Sequence, residues 1–118
     1  MSRRNAGLAI AILAATLLAG CADLVDRFSN RPADEKLWRK HCAKCHGVSG
    51  TGNTPAYMGN TYADLTDDIW HAGSSDGSLG RAIRDGVFGE MPGFRDQLTG
   101  KEVDLLIAYV RKLRGGAR

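Results

Sequence analysis

One short stretch, Cys42-Ala43-Lys44-Cys45-His46, restricts what this chain can be more than any other part of its sequence. Cys-x-x-Cys-His is the attachment pattern for a c-type haem. Two thiols on one helical turn can each form a thioether to one vinyl group of the porphyrin. His46, four residues after Cys42, lies on the same side as an axial ligand to iron. The motif predicts one covalently bound haem c, with its iron, per chain.

A zinc site or a thiol-redox site is the alternative for the same residues. The motif supplies three ligands, whereas a structural zinc site needs four. A thioredoxin-like motif belongs in a strand-rich context, and no segment here has the pattern of a strand. Both alternatives are therefore disfavoured.

Residues 1–20 have the features of a bacterial lipoprotein signal peptide. Arg3 and Arg4 form a basic start, and the apolar run from 6 to 18 is too short to span a bilayer comfortably. The run ends in Leu18-Ala19-Gly20-Cys21, which matches a lipobox. Three cysteines is an odd number, and a lipid on Cys21 would use the one that haem does not. An ordinary signal peptide or anchor helix with an incidental Cys21 is the alternative.

The charge of the chain gives no support for nucleic-acid binding. Removing Arg3 and Arg4 with the signal peptide takes the 16 basic side chains to 14, against 13 acidic ones. Residues 21–33 are predicted to be a lipidated tether on the periplasmic side of a bacterial membrane, whether inner or outer. A short amphipathic turn lying on the lipid surface, formed by Leu24, Val25 and Phe28, is the less favoured alternative.

The rest of the sequence predicts an all-α domain. A helix should begin near Pro32 and run to about Cys45, with Trp38, Cys42 and Cys45 on the stripe that faces the haem. The other stripe, Leu37, His41 and Lys44, leaves His41 on a solvated face. Thr66 should cap a short helical turn within residues 64–70.

Two further helices are marked more clearly. One should begin at Ser75 and end at Gly86, with an inner face formed by Leu79, Ala82 and Ile83. The last should open with a capping box, Thr99 and Glu102. Its single apolar stripe contains Val103, Leu106, Ile107, Val110 and Leu113.

Met91 is the expected sixth ligand of the iron. Pro92 restricts the backbone of Met91 to extended geometry, and the neighbouring glycines allow close approach to the ring. A thioether favours the ferrous state, so His/Met ligation raises the reduction potential. Met58, His71 and His41 are the weaker candidates.

In this order and spacing, the residues resemble class I c-type cytochromes, particularly the small bacterial kind with one haem. The matching features are the haem motif with Gly47, Gly50-x-Gly52, Pro55, Met91-Pro92 and the last helix with Tyr109. The resemblance covers roughly Asp34 to Arg114 and implies a cytochrome c fold over residues 34–118. That fold has three to five helices, and its first and last helices pack across each other around the haem.

The resemblance also implies roles for individual residues. A carbonyl near Pro55 would accept from His46 Nδ1. Leu65, Ile83 and Val87 would line the haem pocket. Trp70 would donate to a haem propionate, with Arg81 or Arg84 as the counter-charge. Apart from the resemblance, the haem edge is expected to emerge near Cys42–Lys44 and the Met91 loop. A weakly basic rim for docking redox partners would form there, made of Lys40, Lys44, Arg81 and Arg95.

The function predicted from these features is that of a membrane-tethered electron carrier rather than an enzyme. Its partners would be a dehydrogenase as donor and an oxidase or reductase as acceptor, and the chain would be a monomer or a complex subunit. A haem relay subunit within a dehydrogenase or oxidase complex is the alternative. A ligand sensor or a peroxidase-like enzyme, opened by dissociation of Met91, ranks below both.

Overall fold

The structure is a computed structural model that describes residues 24, 25 and 27–116. The predicted signal peptide and Cys21 lie outside the described residues. The chain divides into two compact units between Arg31 and Pro32. In the first, residues 24, 25, 27 and 28 have helical backbone, and Leu24, Val25 and Phe28 are exposed. Helical backbone with these three side chains exposed is compatible with the amphipathic turn of the alternative, and the lipidated tether over residues 21–33 stays a prediction.

The second unit is helical, as predicted. Its helices are α1 (Ala33–His41), α2 (Ala43–His46), α3 (Asp76–Asp85) and α4 (Gly100–Gly116), and a 3₁₀ turn spans Thr61–Ala63. Within the described ranges the backbone forms no strand, and an isolated bridge pairs Val87 with Met91. No described helix is long and apolar enough to cross a membrane.

The helix boundaries follow from capping residues that the sequence marks. The Ser75 hydroxyl accepts a hydrogen bond from the backbone N–H of Ser78 at 3.1 Å, and Gly86 caps the C-terminal end of α3. Thr99 N donates to the Glu102 carboxylate at 2.8 Å, which forms the predicted capping box of α4. The predicted first helix is present as α1 and α2, with Cys42 between them.

The core forms where α1 and α4 pack together. Trp38, Val103 and Leu106 are fully buried, and the Trp38 ring lies 5.4 Å from the Tyr109 ring. Burying an aliphatic side chain such as Leu106 stabilises the fold by roughly 1.5–3 kcal/mol. The expected packing of the first helix on the last is therefore confirmed.

The predicted helical turn at residues 64–70 is wrong. The Asp64 carboxylate accepts from Thr66 N at 2.8 Å and from Thr66 Oγ1 at 2.7 Å, and Asp67 accepts from Ile69 N at 2.9 Å. Side chains of Asp bond the backbone two residues on, which offers the chain an alternative to a helix. Here the aspartates hold bends, and Thr66 caps no helix.

Candidate haem site

The haem motif forms the compact turn that its spacing predicts. Backbone N–H groups of Cys45 and His46 both donate to the Cys42 carbonyl, at 3.1 and 3.0 Å. Both cysteines are free thiols and half-buried. Burial, together with the neighbouring Cys45, raises the pKa of Cys42 to about 12. The two thiols that would form the thioethers thus lie on one turn.

His46 is held by its Nδ1 atom, which lies 2.8 Å from the carbonyl oxygen of Ala63. A carbonyl only accepts, so Nδ1 carries the proton and Nε2 is left for a metal. Burial lowers the pKa of His46, which favours the neutral ring that a metal requires. The predicted acceptor near Pro55 is wrong. The sequence carries no mark at Ala63, because every residue offers a carbonyl.

The loop after His46 turns back tightly onto the ligand. Gly52 N donates to the His46 carbonyl at 2.8 Å, and the Thr54 hydroxyl donates to the Cys45 carbonyl at 3.3 Å. A Cβ on Gly52 would lie 2.9 Å from Ala63, and Gly52 has a φ of +68°. Glycine at 52 therefore lets Ala63 come close enough to reach the imidazole.

Trp38 lies in a different environment from the two cysteines that share its predicted stripe. It is 1% exposed, whereas Cys42 and Cys45 are half-buried. Its ring lies 5.9 Å from the His46 ring, and its indole N–H donates to the Gly47 carbonyl at 3.1 Å. Trp38 is thus a core residue that contacts the predicted ligand.

The Met91 backbone is held by Val87. Each residue donates its N–H to the other's carbonyl at 2.9 Å. A Cβ on Gly86, whose φ is +78°, would lie 2.5 Å from the Met91 carbonyl oxygen and 2.7 Å from the Gly93 nitrogen. The segment that carries Met91 is therefore pressed against the end of α3, a restraint that adds to the one expected from Pro92.

Of the predicted pocket residues, Ile83 is buried in the core, and Leu65 and Trp70 pack against it. The predicted roles of Trp70 as a donor to a propionate and of Arg81 or Arg84 as the counter-charge stay predictions. Arg114 lies over the Trp70 ring at 4.1 Å, and Arg111 lies at 6.0 Å. Both arginines belong to α4. The sequence shows that this end of the helix is basic, but it does not show the contact with Trp70.

The weaker ligand candidates have other surroundings. Met58 is 73% exposed. His71 stacks on Tyr62, with 4.0 Å between the ring centres, and both side chains are exposed. The solvated position predicted for His41 is wrong, because His41 is half-buried with its ring 5.8 Å from that of Phe94.

The donor set fits a haem c with two protein ligands. Two thiols on one turn, an imidazole with its Nε2 free and a thioether in a restrained segment are the groups that such a haem requires. Among the described residues, no group of three or more His, Cys, Asp or Glu side chains is arranged to hold a metal ion.

Comparison with known proteins agrees with this chemistry. Residues 31–110 match the family described as "Cytochrome C oxidase, cbb3-type, subunit III". The solved structure of the KustC0563 c-type cytochrome is 33% identical, with a TM-score of 0.60, and the match covers 69% of this chain and 96% of that one.

Longer relatives share the same domain. The Cbb3-type cytochrome c oxidase subunit FixP of Bradyrhizobium sp. (strain ORS 278) is 33% identical over 84 residues, covering 71% of this chain and 28% of the relative. A nicotinate dehydrogenase subunit of Pseudomonas putida is 31% identical over 101 residues, covering 80% of this chain and 8% of the relative. The match therefore spans under a third of either relative. The chain belongs to the cbb3-type subunit III family of cytochrome domains, and it is a class I c-type cytochrome with covalently bound haem c.

Proposed function

We propose that this chain is a one-electron carrier with a single haem c attached through Cys42 and Cys45 and with His46 and Met91 as axial ligands. The observation that carries the proposal is the hydrogen bond from His46 Nδ1 to Ala63, which leaves Nε2 for iron. The bound haem supplies reversible one-electron exchange at its iron. Two protein ligands leave no iron position for a substrate, so the proposed role is electron transfer rather than catalysis.

The chain's own residues would set the properties of the haem. A thioether ligand from Met91 favours the ferrous state, whereas an imidazole made basic by its bond to Ala63 favours the ferric state. The buried Trp38 ring lies 5.9 Å from the His46 ring and shields one side of the histidine from water. These opposing preferences of the two ligands would together set the reduction potential of the haem.

An absorption spectrum of the purified protein, oxidised and reduced, tests the ligation. Met91→Ala should abolish the sulfur-to-iron charge-transfer band of the oxidised protein, whereas Met58→Ala should leave it in place. Loss of the band in the Met58 variant alone would move the ligand to Met58. Ready binding of carbon monoxide by the unaltered ferrous protein at neutral pH would contradict a closed site and favour a sensor or peroxidase-like enzyme.

A fixed relay subunit is the second candidate, favoured by the nature of the relatives. FixP is named as an oxidase subunit, and the Pseudomonas putida protein is named as a dehydrogenase subunit. A relay subunit should copurify with its complex in a constant ratio after mild detergent extraction. A free carrier should separate from every partner under the same conditions.

Anchoring through a lipid on Cys21 is part of the proposal. It rests on the lipobox and on the assignment of Cys42 and Cys45 to haem. Mass spectrometry of the detergent-extracted protein should find an acylated Cys21 at the N-terminus. An intact Met1 or a free Cys21 thiol would contradict it.

Partner docking is proposed to use basic side chains near the haem motif. Lys40 and Lys44 are exposed, whereas Arg95 pairs with Asp85 and so contributes less charge. Encounters of this kind are brief and sensitive to salt. The rate of electron exchange with a partner should fall as salt rises, and Lys44→Gln should weaken that dependence more than Lys101→Gln does. Rates of electron exchange that do not depend on salt would contradict docking through basic side chains.

A further inference from the structure

The indole N–H of Trp38 makes a buried hydrogen bond that a phenylalanine at this position could not make. Trp38 is 1% exposed, and its Nε1 atom lies 3.1 Å from the Gly47 carbonyl oxygen. A buried indole N–H needs an acceptor, and here the acceptor is the residue directly after the predicted iron ligand. A phenylalanine would fill much of the same space but would leave the carbonyl to Gly50 N, at 3.2 Å.

Three consecutive backbone carbonyls, those of residues 45–47, each accept a hydrogen bond. The Cys45 carbonyl accepts from the Thr54 hydroxyl, the His46 carbonyl accepts from Gly52 N, and the Gly47 carbonyl accepts from Trp38 and Gly50. Thr54, Gly50 and Gly52 all belong to the loop that follows the ligand. Trp38 belongs to α1, so its bond ties that loop to the helix core.

The same side chain also flanks the imidazole. The Trp38 ring lies 5.9 Å from the His46 ring at an angle of 35°. The imidazole is therefore placed by Trp38 beside it and by the Ala63 carbonyl 2.8 Å from its Nδ1 atom. Ala63 is itself positioned by the loop that follows His46. Trp38 holds the first peptide of that loop through its bond to the Gly47 carbonyl.

We propose that Trp38 is a positioning residue for the axial histidine, acting through its hydrogen bond to Gly47. The bond fixes the peptide after His46, which holds the loop and keeps the Nδ1–H···O bond to Ala63 short. A short bond keeps the imidazole a strong donor, which stabilises ferric iron. The inference rests on the proposed ligation by His46, and it predicts that loss of the indole N–H raises the reduction potential.

Trp38→Phe tests this, because it keeps a ring in the core and removes the N–H. We expect the spectrum of the two-ligand haem to persist. The potential should rise beyond the spread of replicate titrations, and the hyperfine-shifted proton resonances of the His46 ring should move. Tyr109→Leu is the matched control, since it loosens the same core on the other side of Trp38 and keeps the donor.

A purely structural role gives a different pattern. If both variants lower the melting temperature and leave the potential and the His46 resonances unchanged, Trp38 only packs and the inference is wrong. Equal shifts in potential in both variants would also overturn it, because the hydrogen bond would then have no specific part. Failure of the proposed function would instead appear as the absence of a His/Met spectrum in the unaltered protein.

A measurement on the unaltered holoprotein covers the case in which Trp38→Phe fails to fold. The chain has two tryptophans, so ¹⁵N-tryptophan labelling gives two indole N–H signals. The Trp38 proton should exchange with solvent roughly tenfold or more slowly than that of Trp70, because its release requires local opening of the core. Exchange of the Trp38 proton as fast as that of Trp70 would overturn the inference.

Discussion

On the His46 side of the site, the chain after the ligand folds back and touches the ligand itself, whereas on the Met91 side the chain is fastened to the end of a helix. Ala63, 17 residues after His46, supplies the carbonyl that holds the imidazole at 2.8 Å. Met91 is held through its backbone, by the paired bonds to Val87 at 2.9 Å. The first arrangement acts on the imidazole ring of His46, and the second acts on the backbone of Met91, the other proposed ligand.

The two sides also differ in how deeply their chain segments are buried. Gly50 and Gly52 are buried on the His46 side, whereas Phe88, Gly89 and Glu90 on the Met91 side are fully or largely exposed. Fewer buried contacts make a segment easier to open. We therefore expect substitutions on the Met91 side to remove the proposed Met91 ligand from the iron. Substitutions on the His46 side should instead keep both proposed ligands and change the environment of the His46 ring.

Gly86→Ala should have the largest effect. Its Cβ would lie 2.5 Å from the Met91 carbonyl oxygen, at a φ of +78°. Overpacking and left-handed backbone together should cost about 3–5 kcal/mol in the free energy of unfolding. The sulfur-to-iron charge-transfer band should also weaken or vanish. Denaturant unfolding and the oxidised spectrum measure the two effects.

Gly89→Ala is the matched control, because Gly89 has a φ of +76° and open space where a Cβ would lie. It should show the backbone cost of about 1–2 kcal/mol alone and keep the band. Equal losses in the two variants would mean that the close contact with Met91 contributes nothing.

Gly52→Ala should have the next largest effect, on the opposite side. Its Cβ would lie 2.9 Å from Ala63, so the alanine carbonyl must move relative to His46. We expect a loss of about 2–4 kcal/mol in stability, a retained charge-transfer band and displaced resonances of the His46 ring. Gly59→Ala, with a φ of +82° and no atom within 4 Å, is the control. If Gly52→Ala loses the charge-transfer band while the His46 resonances stay unchanged, the expected difference between the two sides is wrong.

The difference between the two sides also explains what the sequence could predict. The ligands and the capped helices follow from local patterns, such as Cys-x-x-Cys-His and the Thr99–Glu102 box. Ala63 as acceptor and Arg114 over Trp70 do not, because any carbonyl can accept and any nearby arginine can stack. The predicted helical turn at Thr66 is wrong because the Asp64 carboxylate accepts from the backbone N–H of Thr66 and the Asp67 carboxylate accepts from that of Ile69, which holds the chain in bends. Local signals thus predict the proposed ligands, and tertiary contacts, which the local sequence does not mark, supply the groups around them.

Thr54→Val should have a smaller effect, confined to the His46 side. Thr54 is 9% exposed, and its hydroxyl donates to the Cys45 carbonyl at 3.3 Å. Removing the donor should cost about 1 kcal/mol in the free energy of unfolding, with the carbonyl left short of a partner. Thr61→Val, at an exposed position, should cost less. If both cost the same, the bond to Cys45 adds no stability.

Glu102→Gln should have the smallest effect and should leave both ligands unchanged, because the capping box lies outside the two segments that hold them. Hydrogen bonds from the backbone and hydroxyl of Thr99 hold the pKa of Glu102 below its ordinary value of 4.5. A carboxylate whose pKa is depressed in the folded state stabilises above its unfolded pKa, and that contribution is lost as pH falls through the folded value. The difference in melting temperature between the wild type and Glu102→Gln should thus be greatest near neutral pH and should shrink as the pH falls below the ordinary value of 4.5 and through the lowered folded value. Asp104→Asn, on the same helix, is the control for loss of a charge alone. A melting difference that persists in acid would mean that the carboxylate charge has no part in the cap, and a change in the charge-transfer band or the His46 resonances would show that α4 couples to the ligands directly.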